Sequence, residues 1–357
     1  TAPTKTEKPK KEYYSSAVGM WYTVWWDSKE ADAQYYEHHW LKETRVKPLK
    51  HGYYAADDPA KLQDDFTYFN RIGIDYLILD DTNNHMADGG NIASHINACF
   101  KKAKELGNKA PKLCFAGGSP LLGGNEEGMI GEMDIFYGYA NMYKDNTFFW
   151  KGKPLFVNFN SPNNYGWQDP KGRFTMRPAA GHTSEGKGYI QKYGLDKIGM
   201  YGWVFDYQYN TSEVYGISPG WSRSHNGLSS GSPPQSREQG KRYQEAWLAA
   251  VKRKPEMIVV ASWNDHAEET GIEAVELLEP IDGRGEEDPF YYQRITEGYL
   301  ALRTGYLENF CYQSEAGGPV YRYQAGRLRP ARPETREAVI LVPEDYFGWR
   351  GIEPDPR

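Results

Sequence analysis

Short apolar runs recur along the chain, and most are followed by a stretch whose apolar residues return at helical spacing. The clearest strand patterns cover residues 17–26, 75–80, 112–116, 154–159 and 257–263, with weaker ones at 173–177, 199–206 and 214–217. Helices are predicted at 59–72, where Leu62, Phe66 and Phe69 share a face, and at 92–106, closed by Gly107. Further helical patterns lie near 132–143 and at 237–253 and 289–304. Asp57 or Asp58 supplies an N-cap before Pro59 at the first helical position.

Near-continuous apolar strands that alternate with helices predict a parallel sheet covered on both faces. Eight such units predict an α/β fold, a (β/α)8 TIM-type barrel with long βα loops. An open doubly wound sheet is the alternative, but no GxGxxG or GxxxxGK[ST] follows a strand. The expected organisation is a polar N-terminal linker (1–15), the barrel (16–305) and a C-terminal extension packed on it (306–357), with one late strand at 339–342.

A formal charge of −6 argues against a basic nucleic-acid footprint. No apolar run approaches the ~20 residues of a membrane span. Cys99, Cys114 and Cys311 lack metal-type spacing and read as buried free thiols. The opening TAPTKTEKPKKE resembles a linker left by removal of a targeting segment, so a secreted, periplasmic or surface-attached monomer is expected. The 28 Tyr and 11 Trp change the picture most, because these rings stack on sugar faces while their polar edges bond hydroxyls. They can equally fill a core.

Barrel enzymes carry their chemistry at the carboxyl ends of the strands. Here those ends read Trp25-Trp26-Asp27, Asp80-Asp81-Thr82-Asn83-Asn84, Asn158-Phe159-Asn160, Trp203-Val204-Phe205-Asp206-Tyr207 and Trp263-Asn264-Asp265-His266-Ala267-Glu268-Glu269. Amides, carboxylates and aromatics of this kind bind polyol hydroxyls and stack on sugars. Asp265 and Glu268, three residues apart, would share one face of a helical turn and flank one bond, as glycoside hydrolysis requires of its acid and base. The same spacing also describes a helix cap, with Asp265 as N-cap and Glu268 or Glu269 in the first turn.

The stretch Ala261-Ser-Trp-Asn-Asp-His-Ala-Glu-Glu-Thr-Gly-Ile-Glu273 resembles the S-[FW]-N-E-W-x-E-G-T-x-I-E signature of glycoside hydrolase family 99, the endo-α-mannosidase and endo-α-mannanase family. Gly52-Tyr-Tyr-Ala-Ala-Asp-Asp-Pro59 and Ser218-Pro-Gly-Trp-Ser-Arg223 are similar to two further segments of that family. The resemblance implies a (β/α)8 barrel that cleaves glycans with retention, using the substrate's 2-hydroxyl through a 1,2-anhydro-sugar. It implies Asp265 as the base for that hydroxyl and Glu268 as general acid/base, with Trp263 and Asn264 shaping the floor. Asp265 stands where the family has Glu, His266-Ala267 replaces a Trp-containing pair, Glu269 replaces Gly, and Cys114-Phe-Ala-Gly-Gly118 lacks an acidic sugar-binding residue.

The expected site is therefore Asp265 and Glu268 as catalytic pair. Around it, Tyr54, Asp80, Asp81, Asn160, Trp203 and Asp206 are expected to bind substrate. So are Tyr207, Trp221, Trp263, Asn264, His266 and Glu269. Trp221 sits in a Gly-Pro-Ser setting that predicts an exposed sugar platform. Asp80, Asp81 and His85, or Asp265, His266 and Glu269, offer oxygen and nitrogen ligands, but the spacing follows no ion-binding loop, so no metal or cofactor is predicted. His38 and His39 read as solvated surface. The function expected is hydrolysis of an oligo- or polysaccharide, against a noncatalytic glycan-binding barrel or a domain serving polysaccharide assembly.

Overall fold

The computed structural model describes residues 12–118, 126–159, 167–179, 198–202, 210–226, 233–281, 283, 288–334 and 337–350. The strands are β1 (Ala17–Thr23), β2 (Val46–Pro48), β3 (Tyr76–Asp80), β4 (Lys112–Gly117), β5 (Phe149–Trp150), β6 (Lys153–Asn158), β7 (Thr175–Pro178), β8 (Val214–Ile217), β9 (Met257–Val260) and β10 (Val275–Leu277), with β11 (Cys311–Ser314), β12 (Tyr321–Gln324), β13 (Arg327–Pro330) and β14 (Val339–Val342) near the C-terminus. The helices are α1 (Ala33–Glu43), α2 (Pro59–Ile72), α3 (Asn91–Leu106), α4 (Glu126–Met142), α5 (Lys241–Arg253), α6 (Tyr291–Ala301) and α7 (Tyr346–Arg350).

The main sheet runs β7-β6-β4-β3-β1-β9-β8 with every neighbour parallel, and β5 adds an antiparallel strand to β6. Side chains alternate across it. Trp21, Ile78, Cys114, Val157, Val214 and Val259 belong to one buried cluster, whereas Met20, Leu77, Phe115, Phe156, Ile217 and Val260 pack with the helices in another. Strands at both ends of the order feed the first cluster, so the sheet is curled around it. Trp21 Nε1 crosses this interior to donate to the Tyr201 carbonyl at 2.7 Å, and Tyr201 N donates to Pro178 O of β7 at 2.8 Å. The fold is thus mixed α/β with a curled parallel sheet. Among the described residues no strand lies between β7 and β8; the strand expected at 199–206 falls largely outside them.

Local signals set several elements. The Asp58 side chain accepts from Ala60 N and Lys61 N, Pro59 opens α2, and Gly73 closes it at φ 93°. β1 ends before Trp25 and Trp26, and β9 before Trp263, which the sequence pattern had placed in them. The antiparallel β2–β10 ribbon was not expected, because each strand is three residues long. Tyr13 and Tyr14, read as part of a polar linker, are buried: Tyr14 Oη donates to Tyr299 O at 2.9 Å, and Tyr13 meets Tyr346 edge-on. The C-terminal extension forms a four-stranded sheet, β13-β12-β11-β14, where a single strand was expected. Cys99, Cys114 and Cys311 are buried free thiols. Among the described residues no helix is long and apolar enough to cross a membrane.

Candidate active site

The segment after β9 folds back on itself. Thr270 N and Gly271 N both donate to Asp265 O, and Ile272 N donates to Trp263 O, so residues 263–272 close into a compact loop. Ser262 Oγ accepts from Asp265 N at 2.9 Å and pairs with Thr270 Oγ1. Asn264 ties this loop to the end of β1: its Oδ1 accepts from Thr23 N at 2.8 Å, and its Nδ2 donates to Thr23 O and Tyr54 Oη, both at 3.1 Å.

This scaffold places Asp265 and Glu268 on one cavity of about 440 Å³. Asp80 at the end of β3, with Thr82 and Asn83 beyond it, shares its wall with Trp25, Phe159, Arg223, Ala267, His38, His39, Glu43, Ala87 and Asp88. Asp265 is buried, and its Oδ1 accepts from Glu268 N at 2.9 Å. The capping contact therefore exists, but it closes a turn and no helix follows. The Glu268 side chain is 24 % exposed. Its Oε2 accepts from Trp221 Nε1 at 3.0 Å and its Oε1 faces Arg223 at 3.5 Å. Trp221 is itself held by paired backbone bonds to Gln235, and Ser222 N donates to Glu268 O.

Burial dominates the electrostatics. Desolvation and the Glu268 charge hold Asp265 well above the carboxylate range. Desolvation also raises Glu268, but Arg223 and the Trp221 N–H favour its ionised form. Asp80 is pushed up to about 7 by burial, against two hydrogen bonds from Thr82 and with help from Glu268. Burial thus favours the protonated forms of Asp80 and Asp265, while Arg223 and Trp221 act on Glu268 in the other direction.

The remaining expected residues divide. Asp80 lines the cavity. Asp81 is buried beside it, its Oδ2 bonded to His85 Nδ1 at 2.9 Å. Trp221 is buried, and its indole edge turns inward to the Glu268 carboxylate. Trp263 faces a different cavity of about 540 Å³ with Tyr68 and Phe290, its Nε1 donating to Asp65 at 3.2 Å. Asn264, His266, Tyr54 and Glu269 are structural ties among the described residues: His266 contacts Glu273 at 3.2 Å beside the stacked Trp26 and Trp40 rings, Tyr54 Oη donates to Glu273 at 2.9 Å, and Glu269 pairs with Arg45 and His225. Asn160, Trp203, Asp206 and Tyr207 lie outside the described residues.

Beneath the loop, fully buried Lys61 pairs with Asp65 and, at 3.0 Å, with Glu273. Burial alone would raise Glu273, but Lys61 and His266 outweigh it and bring it to about 2. This buried ion cluster links α2 to the end of the loop that follows β9. Sequence reasoning also missed His39. It is buried in the cavity wall, bonded to Glu43 at 3.2 Å and Asp88 at 2.9 Å. Burial lowers its pKa, yet these two carboxylates carry it to about 9. The only local sign was the position of His39 on a helix whose partner, Asp88, is far off in sequence.

No family model matches the chain, and no curated protein matches it. Solved structures do. The GH99 endo-alpha-mannosidase from Bacteroides thetaiotaomicron superposes with a TM-score of 0.58 at 14 % identity, over 80 % of this chain and 97 % of that one. The fold is GH99-like. A second structure from that organism, in complex with bis-tris propane, gives the same score and coverage at 16 % identity. A glycoside hydrolase-like protein gives 0.51 at 14 % identity, over 86 % of this chain and 98 % of the other. At such identities the likeness is one of fold, and the GH99-like sheet presents its strand ends to the cavity described above.

Proposed function

We propose that the chain is a glycoside hydrolase that cleaves a mannose-containing oligo- or polysaccharide, with Asp265 and Glu268 as its carboxylate pair. The observation that carries this reading is the placement of both carboxyls on one cavity, Asp265 buried and Glu268 held by Trp221 and facing Arg223, with Asp80 beside them. Glu268 is the more accessible and stands as the acid/base at the glycosidic oxygen. Asp265, shorter and deeper, addresses the neighbouring hydroxyl, and retention of configuration follows. In the substrate-free chain burial and the neighbouring charges favour the proton on Asp265, so substrate binding must move it to Glu268. The GH99-like fold supports the reading of the curled sheet as part of an eightfold barrel.

The test is hydrolysis of mannose-containing glycans, read as new reducing ends, by wild type and by Glu268→Gln. The amide retains an acceptor for Trp221, so the fold should be unchanged and product formation lost. Near-wild-type turnover by the variant would overturn the assignment. Glycan binding by the wild type without product would favour the noncatalytic reading, for which the Asp265–Glu268 capping bond is the supporting contact.

A further inference from the structure

The wall of the same cavity carries a second constellation. His38 Nε2 stands 3.3 Å from Glu43 Oε1, and His39 Nδ1 stands 3.2 Å from Glu43 Oε2. The ligating atoms of these three residues lie within 4.8 Å of one another. All three belong to the last two turns of α1, whose carbonyl end favours a cation. The contacts are at or past the long end of the N–H···O range, about 3.2 Å. The two distances run to different Glu43 oxygens, and the ligating atoms, spread within 4.8 Å, lie near the roughly 3.3 Å ligand-to-ligand edge of a tetrahedral ion with bonds of about 2.0–2.1 Å.

The surroundings fit as well. His39 Nε2 is bonded to Asp88 Oδ2 at 2.9 Å, leaving Nδ1 oriented towards Glu43. A carboxylate on the far nitrogen is the usual support of a metal-bound imidazole. His225 contacts the Glu43 carbonyl at 2.7 Å and so fixes the backbone of the third ligand. The His38 side chain is 55 % exposed, which leaves an entry path.

We infer that His38, His39 and Glu43 bind a divalent transition-metal ion, of the zinc class, in the wall of the cavity. Two imidazoles and a carboxylate select zinc-class ions over calcium or magnesium, which prefer oxygen. Three protein ligands leave a coordination position open to the cavity, where a hydroxyl or carboxylate of a bound molecule completes the shell. The site stands independently of whether the cavity hydrolyses glycans.

The test uses the whole chain stripped with EDTA and titrated calorimetrically with Zn²⁺, with Co²⁺ absorption as a spectroscopic readout of the ligand set. One ion per chain is expected. His38→Ala, at an exposed side chain, and Glu43→Gln should each lose stoichiometric binding. Asp88→Asn, which keeps all three ligands, should weaken it by about 10- to 100-fold. His51→Ala, outside the cluster, should bind as wild type does. Absence of stoichiometric Zn²⁺ binding by the wild type, or binding that survives both His38→Ala and Glu43→Gln, would overturn the site.

Discussion

Asp80→Asn should make this protein more stable and less active, with a gain that depends on pH in a defined way. The Asp80 carboxyl is 1 % exposed and sits at about 7 in place of its ordinary 3.8. Because the native carboxyl holds its proton more tightly than the unfolded one, the associated stability is complete below pH ~4 and is lost as the pH rises through ~7. At ~1.4 kcal/mol per pKa unit, the ionised group costs the native state ~4 kcal/mol at pH 8. An Asn at this position cannot ionise, and its Oδ1 can still accept from Thr82 N and Thr82 Oγ1, as Asp80 does at 3.1 and 2.7 Å. Urea unfolding of both proteins should therefore show a gain approaching ~4 kcal/mol at pH 8 that shrinks below ~1 kcal/mol by pH 4. Glycan turnover should fall in the same variant, the trade-off expected where an active site stores an unfavourable charge. A gain below ~1 kcal/mol at pH 8, or an equal gain at both pH values, would refute the placement of a strained carboxyl at the cavity.

Trp221→Phe removes the N–H that favours ionised Glu268, so the alkaline limb of the pH–rate profile, set by Glu268 as the acid, should move upward and kcat/KM drop by about tenfold, the value of one bond to a charged group. An unmoved profile would show that the indole only fills space. Lys61→Met strands Asp65 and Glu273 without their buried cation and should cost about 3–5 kcal/mol in denaturant unfolding; a loss under ~1 kcal/mol would mean water already solvates them. Gly19→Ala drives a methyl into the Tyr76 ring inside the sheet and should cost at least about 1–3 kcal/mol, whereas Gly138→Ala, exposed in α4 with open space around it, should stabilise by ~1 kcal/mol in the same measurement.

What the sequence determined by itself was local. Apolar runs located the parallel strands, because a strand buried on both faces must be apolar throughout. Asp57 or Asp58 with Pro59 marked the start of α2, because a cap acts within a few residues of the turn it closes, and the structure assigns the cap to Asp58. The spacing of Asp265 and Glu268 was also legible, but not its meaning: a cap and an acid pair share that spacing, and here the cap contact and the cavity placement coexist. Tertiary structure decided which way each side chain after β9 faces. Asp265 and Glu268 turn to the cavity while Trp263 turns to Asp65, because the loop is folded by its own backbone bonds and by Asn264 on Thr23. The Lys61–Glu273 cluster and the His39–Asp88 bond likewise exist only once distant segments meet. The physical reason is common to all of these. Propensity, capping and periodicity act over one or two turns of chain, whereas burial, charge pairing and the proton affinities they set depend on neighbours that only packing supplies.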